Sequence, residues 1–382
     1  MAFTRDEKRA DERDLSQLRP LNVVQGVFHA YFIFDVADSI DLARLRDLRS
    51  DWTESVLVPH AAPSATFIQV EVAPLMTRLP DLRIEGENAA VRIKFYDYGA
   101  VSIRLSLPIT GAFQRIIDSL HRLRQSDMLF RHAKEVLNQS LDSVSGALKK
   151  EHDPVMEDYY IVEVNAFDLQ IGASELLREY KQALSILVLG ETKTLTASEE
   201  DEALRLRFSY FESDLSIIQW DAAFIFDTND GAEVIENILE FAHAQLVELR
   251  TYDRRLNDAL SEVYTWKLAR AKPHWLSERA LAANRTDQLR TMVVDIRELT
   301  DRSCNALKIT GDAFYARLYR GISTRLGLSD WQQQIEYKLS ALGEIYRFAT
   351  DQAQHARSDF LEIVVIILIA VEIGLSLIGM IK

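Results

Sequence analysis

The sequence predicts an α+β protein of two related β-α-β-β-α halves, followed by a long helical, coiled-coil-like stalk and one C-terminal transmembrane helix. Three observations predict it. A strand, helix, hairpin, helix order runs twice before residue 250; leucines recur at helical spacings from Leu239 onward; and a 22-residue apolar run occupies 360–381. The segments are a polar stretch (1–20), a first half (21–130), a helical connector (131–152), a second half (153–250), the stalk (251–358) and the span (360–381).

The first half begins with VFHAYFIFDV (27–36), an apolar, aromatic strand, followed by a helix over SIDLARLRDL with Ser39 as its N-cap. VRIKFYDYGAVSIRLSL (91–107) alternates apolar and polar residues about Asp97, Tyr98 and Gly99. This is the pattern of a β-hairpin in which glycine supplies a positive φ. From about Gly111 a helix places Phe113, Ile116, Ile117, Leu120 and Leu123 on one face.

The second half repeats the order: strand YYIVEVNAF (159–167), helix SELLREYKQALSILVLG (174–190), a hairpin over 204–227 turning near Glu212, Ser213 and Asp214, and a long helix after Asn229, Asp230 and Gly231. Residues 191–203 read as a solvated loop. The two halves are expected to pack about a pseudo-twofold, their sheets covered by helices on one face.

Leu239, Leu246, Leu249, Leu256, Leu260 and Val263 then repeat at three, four or seven residues, which predicts a helix leaving the α+β body. Pro273 breaks it, a hinge is expected near 267–284, and further helices carry Leu289 to Leu307 and Trp331 to Phe348. Of the 22 residues in 360–381, fifteen are Leu, Ile, Val or Phe, and their summed preference for lipid of roughly 4 to 9 kcal/mol exceeds the cost of about 3 for a central Glu372. On a helical wheel Glu372, Ser376 and Gly379 share one face and Ala370 with Gly374 the opposite one, while Glu362 sits at the edge. These six residues are the expected sites of membrane-helix association. The chain is thus expected to be a single-pass, tail-anchored protein of the bacterial inner membrane, its N-terminal body in the cytoplasm.

A formal charge of −14 argues against nucleic acid as the main partner, and no direct DNA binding is expected. Cys304 is the lone cysteine and reads as a packing residue. No P-loop, GxGxxG, GxSxG or HExxH motif occurs, so no catalytic residue, metal or cofactor is expected. Asp118-x-x-His121 and Glu240-x-x-His243 each set a carboxylate and an imidazole one helical turn apart; without the further acids of a di-metal bundle they read as surface or interhelix contacts. Tyr210, Phe211, Trp220 and Asp221 make an aromatic, acidic patch whose rings read as core.

YDYGAVSIRL, ELRTYDRRLNDAL, FYARLYRGISTRLGLSDWQQQIEYKLSALGEIYRFA and the terminal LEIVVIILIAVEI together resemble the Required for Meiotic nuclear Division family, in its bacterial form. The resemblance implies a membrane-anchored, self-associating protein linked to translation, and no catalytic residues. The expected function is a non-enzymatic, homo-oligomeric scaffold, anchored in the lipid bilayer, that presents its α+β body to cytoplasmic partners. A ribosome or RNA tether and an enzyme with an unfamiliar site between the halves are the alternatives.

Overall fold

The aromatic run at 27–36 lies within a longer strand, β1 (Asn22–Ile40), in the computed structural model, which describes residues 19–48, 51–55, 73–268, 294 and 313–345. Next come β2 (Thr53–Glu54), β3 (Leu75–Ile84), β4 (Glu87–Phe95) and β5 (Ala100–Ala112). The second half of the sheet is built from β6 (Leu148–Phe167), β7 (Arg207–Phe208), β8 (Leu215–Ile218) and β9 (Ala222–Phe226). All nine form one sheet in the order β2-β3-β4-β5-β1-β6-β9-β8-β7, antiparallel except for the parallel pair β6 and β9.

This corrects the expectation of two halves with separate sheets: the fold is mixed α/β around a nine-stranded sheet. The reason lies in β1 and β6, the lead strands of the two expected halves, which pair with each other from Val23 opposite Phe167 to Ile40 opposite Leu148. β6 also begins earlier than its apolar core suggests. Residues 148–152, read as connector helix, extend it as strand, and the helix there ends at Val144.

The expected hairpin turn is present between β4 and β5. Gly99 adopts φ +103°, and a Cβ at that position would stand 1.8 Å from the Ala37 carbonyl oxygen, so both conformation and space require glycine.

Helix α1 (Leu42–Leu48) is capped by Asp41, whose Oδ1 accepts the Arg44 N–H at 3.1 Å; Ser39, the expected cap, lies in β1 opposite Lys149. α2 (Phe113–Gln125) and α3 (Met128–Val144) follow the hairpin. The single helix expected over 174–190 divides at Tyr180 into α4 (Ala173–Glu179) and α5 (Lys181–Leu189), and α5 ends on Gly190 at φ +66°. Within the segment read as a loop, Thr196 caps α6 (Ala197–Ala203) by accepting the Glu199 N–H. Two more described helices are α7 (Asn229–Leu268) and α8 (Ala313–Arg325), and a helix covers 328–345.

The pleat divides the sheet's side chains into two unlike sets. On one face Phe28, Phe32, Ile93, Ile103, Val162 and Phe224 join Phe113, Ile116 and Leu120 of α2 and Leu129 of α3 in the apolar core. Each such side chain contributes on the order of 1.5 to 3 kcal/mol by burial. The opposite face buries His29, Tyr31, Lys94, Ser102, Tyr159 and Glu163, and α7 lies against it through Glu236, Asn237 and Glu240. Helices therefore cover both faces, where one was expected.

The chain divides into two compact units, residues 1–248 with 302–328, and residues 249–301 with 329–382. The first holds the sheet, the first half of α7 and α8. In the second, Lys338 pairs with Asp253 and reaches Asn257 Oδ1 at 2.8 Å, the Arg250 guanidinium lies over the Trp331 ring, and Leu256, Ile335 and Leu342 are buried.

The expected coiled-coil stalk is corrected as well. α7 is long, but every residue from 234 to 248 is buried within the first unit. No helix among the described residues is long and apolar enough to cross a membrane. The expected single-pass anchor, lipid bilayer partner and inner-membrane placement are corrected accordingly: the described residues give them no support. Residues 360–381, with Glu362, Ala370, Glu372, Gly374, Ser376 and Gly379, lie outside the described residues, as do Cys304 and the run from Leu289 to Leu307.

Candidate functional site

Charged residues are rarely buried unless paired, and the layer between the sheet and α7 collects them from five elements. β1 supplies His29 and Tyr31, β4 Arg92 and Lys94, β5 Arg104 and Ser106, and β6 Glu163. α7 answers with Glu233, Glu236, Asn237 and Glu240, spaced three and four residues apart and hence on one face. Each strand contributes alternate residues, so the arrangement follows from the pleat.

The pairing is specific. Arg104 Nη1 donates to Glu236 Oε2 at 2.7 Å, and the Tyr31 hydroxyl donates to the same oxygen at 3.2 Å. Lys94, only 2% exposed, forms an ion pair with Glu240 and donates to Asn237 Oδ1 at 3.2 Å. Nearer the surface, Arg92 and Glu233 stand 3.8 Å apart.

At the centre is His29, 4% exposed. Its Nδ1 lies 2.8 Å from Ser106 Oγ, and its Nε2 lies 3.0 Å from Glu163 Oε2 and 3.0 Å from Glu236 Oε1. Burial opposes charge on the imidazole, yet the Glu236 carboxylate and the hydrogen bonds to Glu163 and Glu236 outweigh it and hold the His29 pKa above its ordinary value. Burial likewise opposes charge on Glu236, but His29 and Arg104 pull that carboxyl well below the usual range. For Lys94 burial wins, lowering the pKa against the pull of Glu240. Burial, reinforced by Glu236, raises the Tyr31 phenol well above its ordinary value. The layer can hold a proton or a cation between two carboxylates; α7 closes it over.

A second feature lies at the far edge of the sheet, in the turn between β7 and β8. Asp214, itself buried, accepts the Tyr210 N–H at 2.8 Å with one carboxylate oxygen and the Phe211 N–H at 2.7 Å with the other. The Glu212 carbonyl accepts from the Ala173 N–H, tying the turn to α4. So held, Tyr210 and Phe211 stack edge to face and remain 61% and 65% exposed, which corrects their reading as core. Tyr210 also meets the buried ring of Phe314 edge-on.

The two carboxylate–imidazole pairs noted in the sequence fall on opposite faces of the sheet. His121 Nδ1 donates to the Gly190 carbonyl at 2.7 Å, while Asp118 accepts from Gln114 on the same helix. Glu240 pairs with Lys94, and His243 packs against the Tyr159 ring at 4.0 Å. The sequence singled out none of His29, Lys94, Arg104, Glu163 and Glu236. The available signal was the acidic stripe on α7, which interrupts a helix otherwise apolar through Ile235, Ile238, Leu239 and Ala242.

Comparison with known proteins places this sheet in context. A family model described as "Uncharacterized protein MJ0711, N-terminal domain" matches residues 25–233, from within β1 to the first turn of α7. The uncharacterized protein MJ0711 of Methanocaldococcus jannaschii is 23% identical over 297 residues, which is 77% of this chain and 84% of that protein. No solved structure matches. The match overturns the resemblance to the Required for Meiotic nuclear Division family and turns from a bacterial form to an archaeal relative. Three of the four segments that carried the resemblance lie beyond residue 233.

Proposed function

The chain belongs to the family of the MJ0711 N-terminal domain, and from that premise we propose that it is a non-catalytic interaction protein, a sheet platform that presents a preformed aromatic turn to a protein partner. The observation that carries this reading is the use of both oxygens of buried Asp214 to fix a turn whose two large rings face solvent. Leaving two aromatic rings in water is unfavourable by about 25 cal/mol per Å² of apolar surface, and tyrosine and other aromatics are enriched among the residues that dominate protein interfaces. Because Asp214 orders the backbone beforehand, little conformational freedom is left to lose on binding. The closed charged layer supports the non-catalytic part, since its central groups are covered by α7 and paired with one another.

Site-specific photocrosslinking in the native host tests the proposal. A crosslinker replacing Phe211 is expected to give discrete protein adducts that weaken when Tyr210 is changed to Ser, whereas one replacing exposed Arg78 gives none. Equal labelling from the two positions, or adducts indifferent to Tyr210→Ser, would refute it.

A further inference from the structure

We infer that His29, Glu163 and Glu236 form a binding site for a first-row divalent transition metal ion such as Mn²⁺, Fe²⁺, Co²⁺ or Zn²⁺. The inference is independent of the aromatic turn and rests on how each of the three side chains is held.

Every one of them has an outer atom fixed and an inner atom aimed at the same point. His29 is fixed at Nδ1 by Ser106 Oγ at 2.8 Å, leaving Nε2 inward. Glu163 is fixed at Oε1, which accepts from Asn165 Nδ2 at 2.5 Å, leaving Oε2 inward. Glu236 is fixed at Oε2 by Arg104 and Tyr31, leaving Oε1 inward. The three elements that deliver these atoms, β1, β6 and α7, are far apart in sequence, and the inner atoms all lie within 4.8 Å of one another. Outer hydrogen bonds that orient the ligands of a metal, with a histidine's second ring nitrogen engaged elsewhere, are the usual support of such sites.

Two further observations point to a cation. Nε2 carries at most one N–H to share between Glu163 Oε2 and Glu236 Oε1, each 3.0 Å away, and the buried Glu236 Oε1 has no other donor. Two buried carboxylate oxygens thus compete for one proton, a shortage that a bound cation would relieve. The spacing also suits a metal. With bonds of about 2.1 Å, neighbouring ligands of an octahedral ion stand about 3.0 Å apart, and Nε2 is 3.0 Å from each oxygen. One nitrogen and two carboxylate oxygens suit the harder and borderline divalent metals. Binding would require the neutral imidazole with its proton on Nδ1, donated to Ser106; a proton and a metal therefore compete for Nε2.

Full-length protein stripped with EDTA and then supplied with Mn²⁺, Co²⁺ or Zn²⁺ alone provides the test. Wild type is expected to retain roughly one ion per chain through gel filtration and to unfold at a higher temperature with it. Glu163→Gln removes a ligand, and Asn165→Ala keeps all three ligands while removing the outer support of Glu163 and a 3.2 Å hydrogen bond to the Asp227 carbonyl. Each is expected to weaken binding by about 10-fold or more, and Glu163→Gln should also change the visible spectrum of the Co²⁺ form. Glu199→Gln, an exposed acid on α6, should change neither. The inference is overturned if stripped wild type retains none of the three ions, or if Asn165→Ala and Glu163→Gln bind as tightly as wild type. Should Glu163→Gln fail to fold, Asn165→Ala decides.

Discussion

Replacing Lys94 with Met tests whether the charged layer is energetically coupled. The methionine keeps the length of the apolar stem while deleting the ammonium, which leaves Glu240 facing β4 without its counter-ion. Two outcomes are open to that carboxylate. Remaining charged and unpaired in the interior costs about 3 to 5 kcal/mol; taking up a proton at pH 7, against an ordinary glutamate pKa near 4.3, costs about 3.7 kcal/mol. The second route caps the first, and the Asn237 oxygen loses a donor worth about 1 kcal/mol besides. The expected loss is therefore roughly 4 kcal/mol, or about 8 to 16 °C at 2 to 4 °C per kcal/mol. Lys94→Met with Glu240→Leu should recover most of it, because a neutral pair carries no desolvation penalty. Thermal unfolding followed by far-ultraviolet dichroism, with hydrogen exchange in β4 and in residues 229–248, supplies the cycle. A loss below about 1 kcal/mol for the single variant, or a double variant no more stable than the single one, would refute the coupling.

Gly99→Ala and Gly86→Ala form a matched pair, both at positive φ, +103° and +90°. Only at Gly99 does the added carbon strike backbone, so Gly86→Ala should cost about 1 to 3 kcal/mol of conformational strain and Gly99→Ala distinctly more, as read by urea denaturation. Asp168 accepts from both the backbone and side-chain amides of Asn22, which hold its carboxyl below the ordinary value of 3.8. A depressed pKa adds stability above that value and forfeits it as pH falls through the folded one, so between about pH 5 and pH 3 the wild type should lose more stability than Asp168→Asn; parallel melting curves would contradict this. Asp214→Ala removes two charge-assisted hydrogen bonds and should both destabilise the protein by about 2 to 4 kcal/mol and speed exchange of the Tyr210 and Phe211 amides.

Local chemistry made the strands and the tight turns legible. The hairpin was readable because alternation on either side of Asp97-Tyr98-Gly99 leaves one register, and α2 because its five apolar residues repeat at helical spacing. The partnership of β1 with β6 was not readable: both strands are apolar enough to be central, and nothing local states that they pair. The candidate site was hidden for a related reason. Arg92-Ile93-Lys94 and Ser102-Ile103-Arg104 alternate as a strand with one wet face does, since alternation reports that two faces differ and not what covers the polar one. Here the cover is α7, which is buried on all sides from residue 234 to 248. Tyr210 and Phe211 failed in the opposite direction, because aromatic content near strands suggests core and the capping by Asp214 that turns them outward depends on the folded turn.

A charged interior contributes little net stability compared with an apolar one of the same shape, because desolvation offsets most of the attraction between the charges. What it adds here is register. The acids of α7 that face the sheet are bracketed by alanines, Ala232 before Glu236 and Ala244 after Glu240, each one helical turn away. A slide of α7 by about 5.4 Å in one direction would set Ala244 against Lys94, and in the other would set Ala232 against Arg104 and His29. Either slip strands a buried cation at a penalty of several kcal/mol. An all-apolar face would pass through the same slip with only repacking to oppose it. Because the His29, Glu163 and Glu236 cluster exists only when β1, β6 and α7 are in their native register, an ion bound there would stabilise that register and no other.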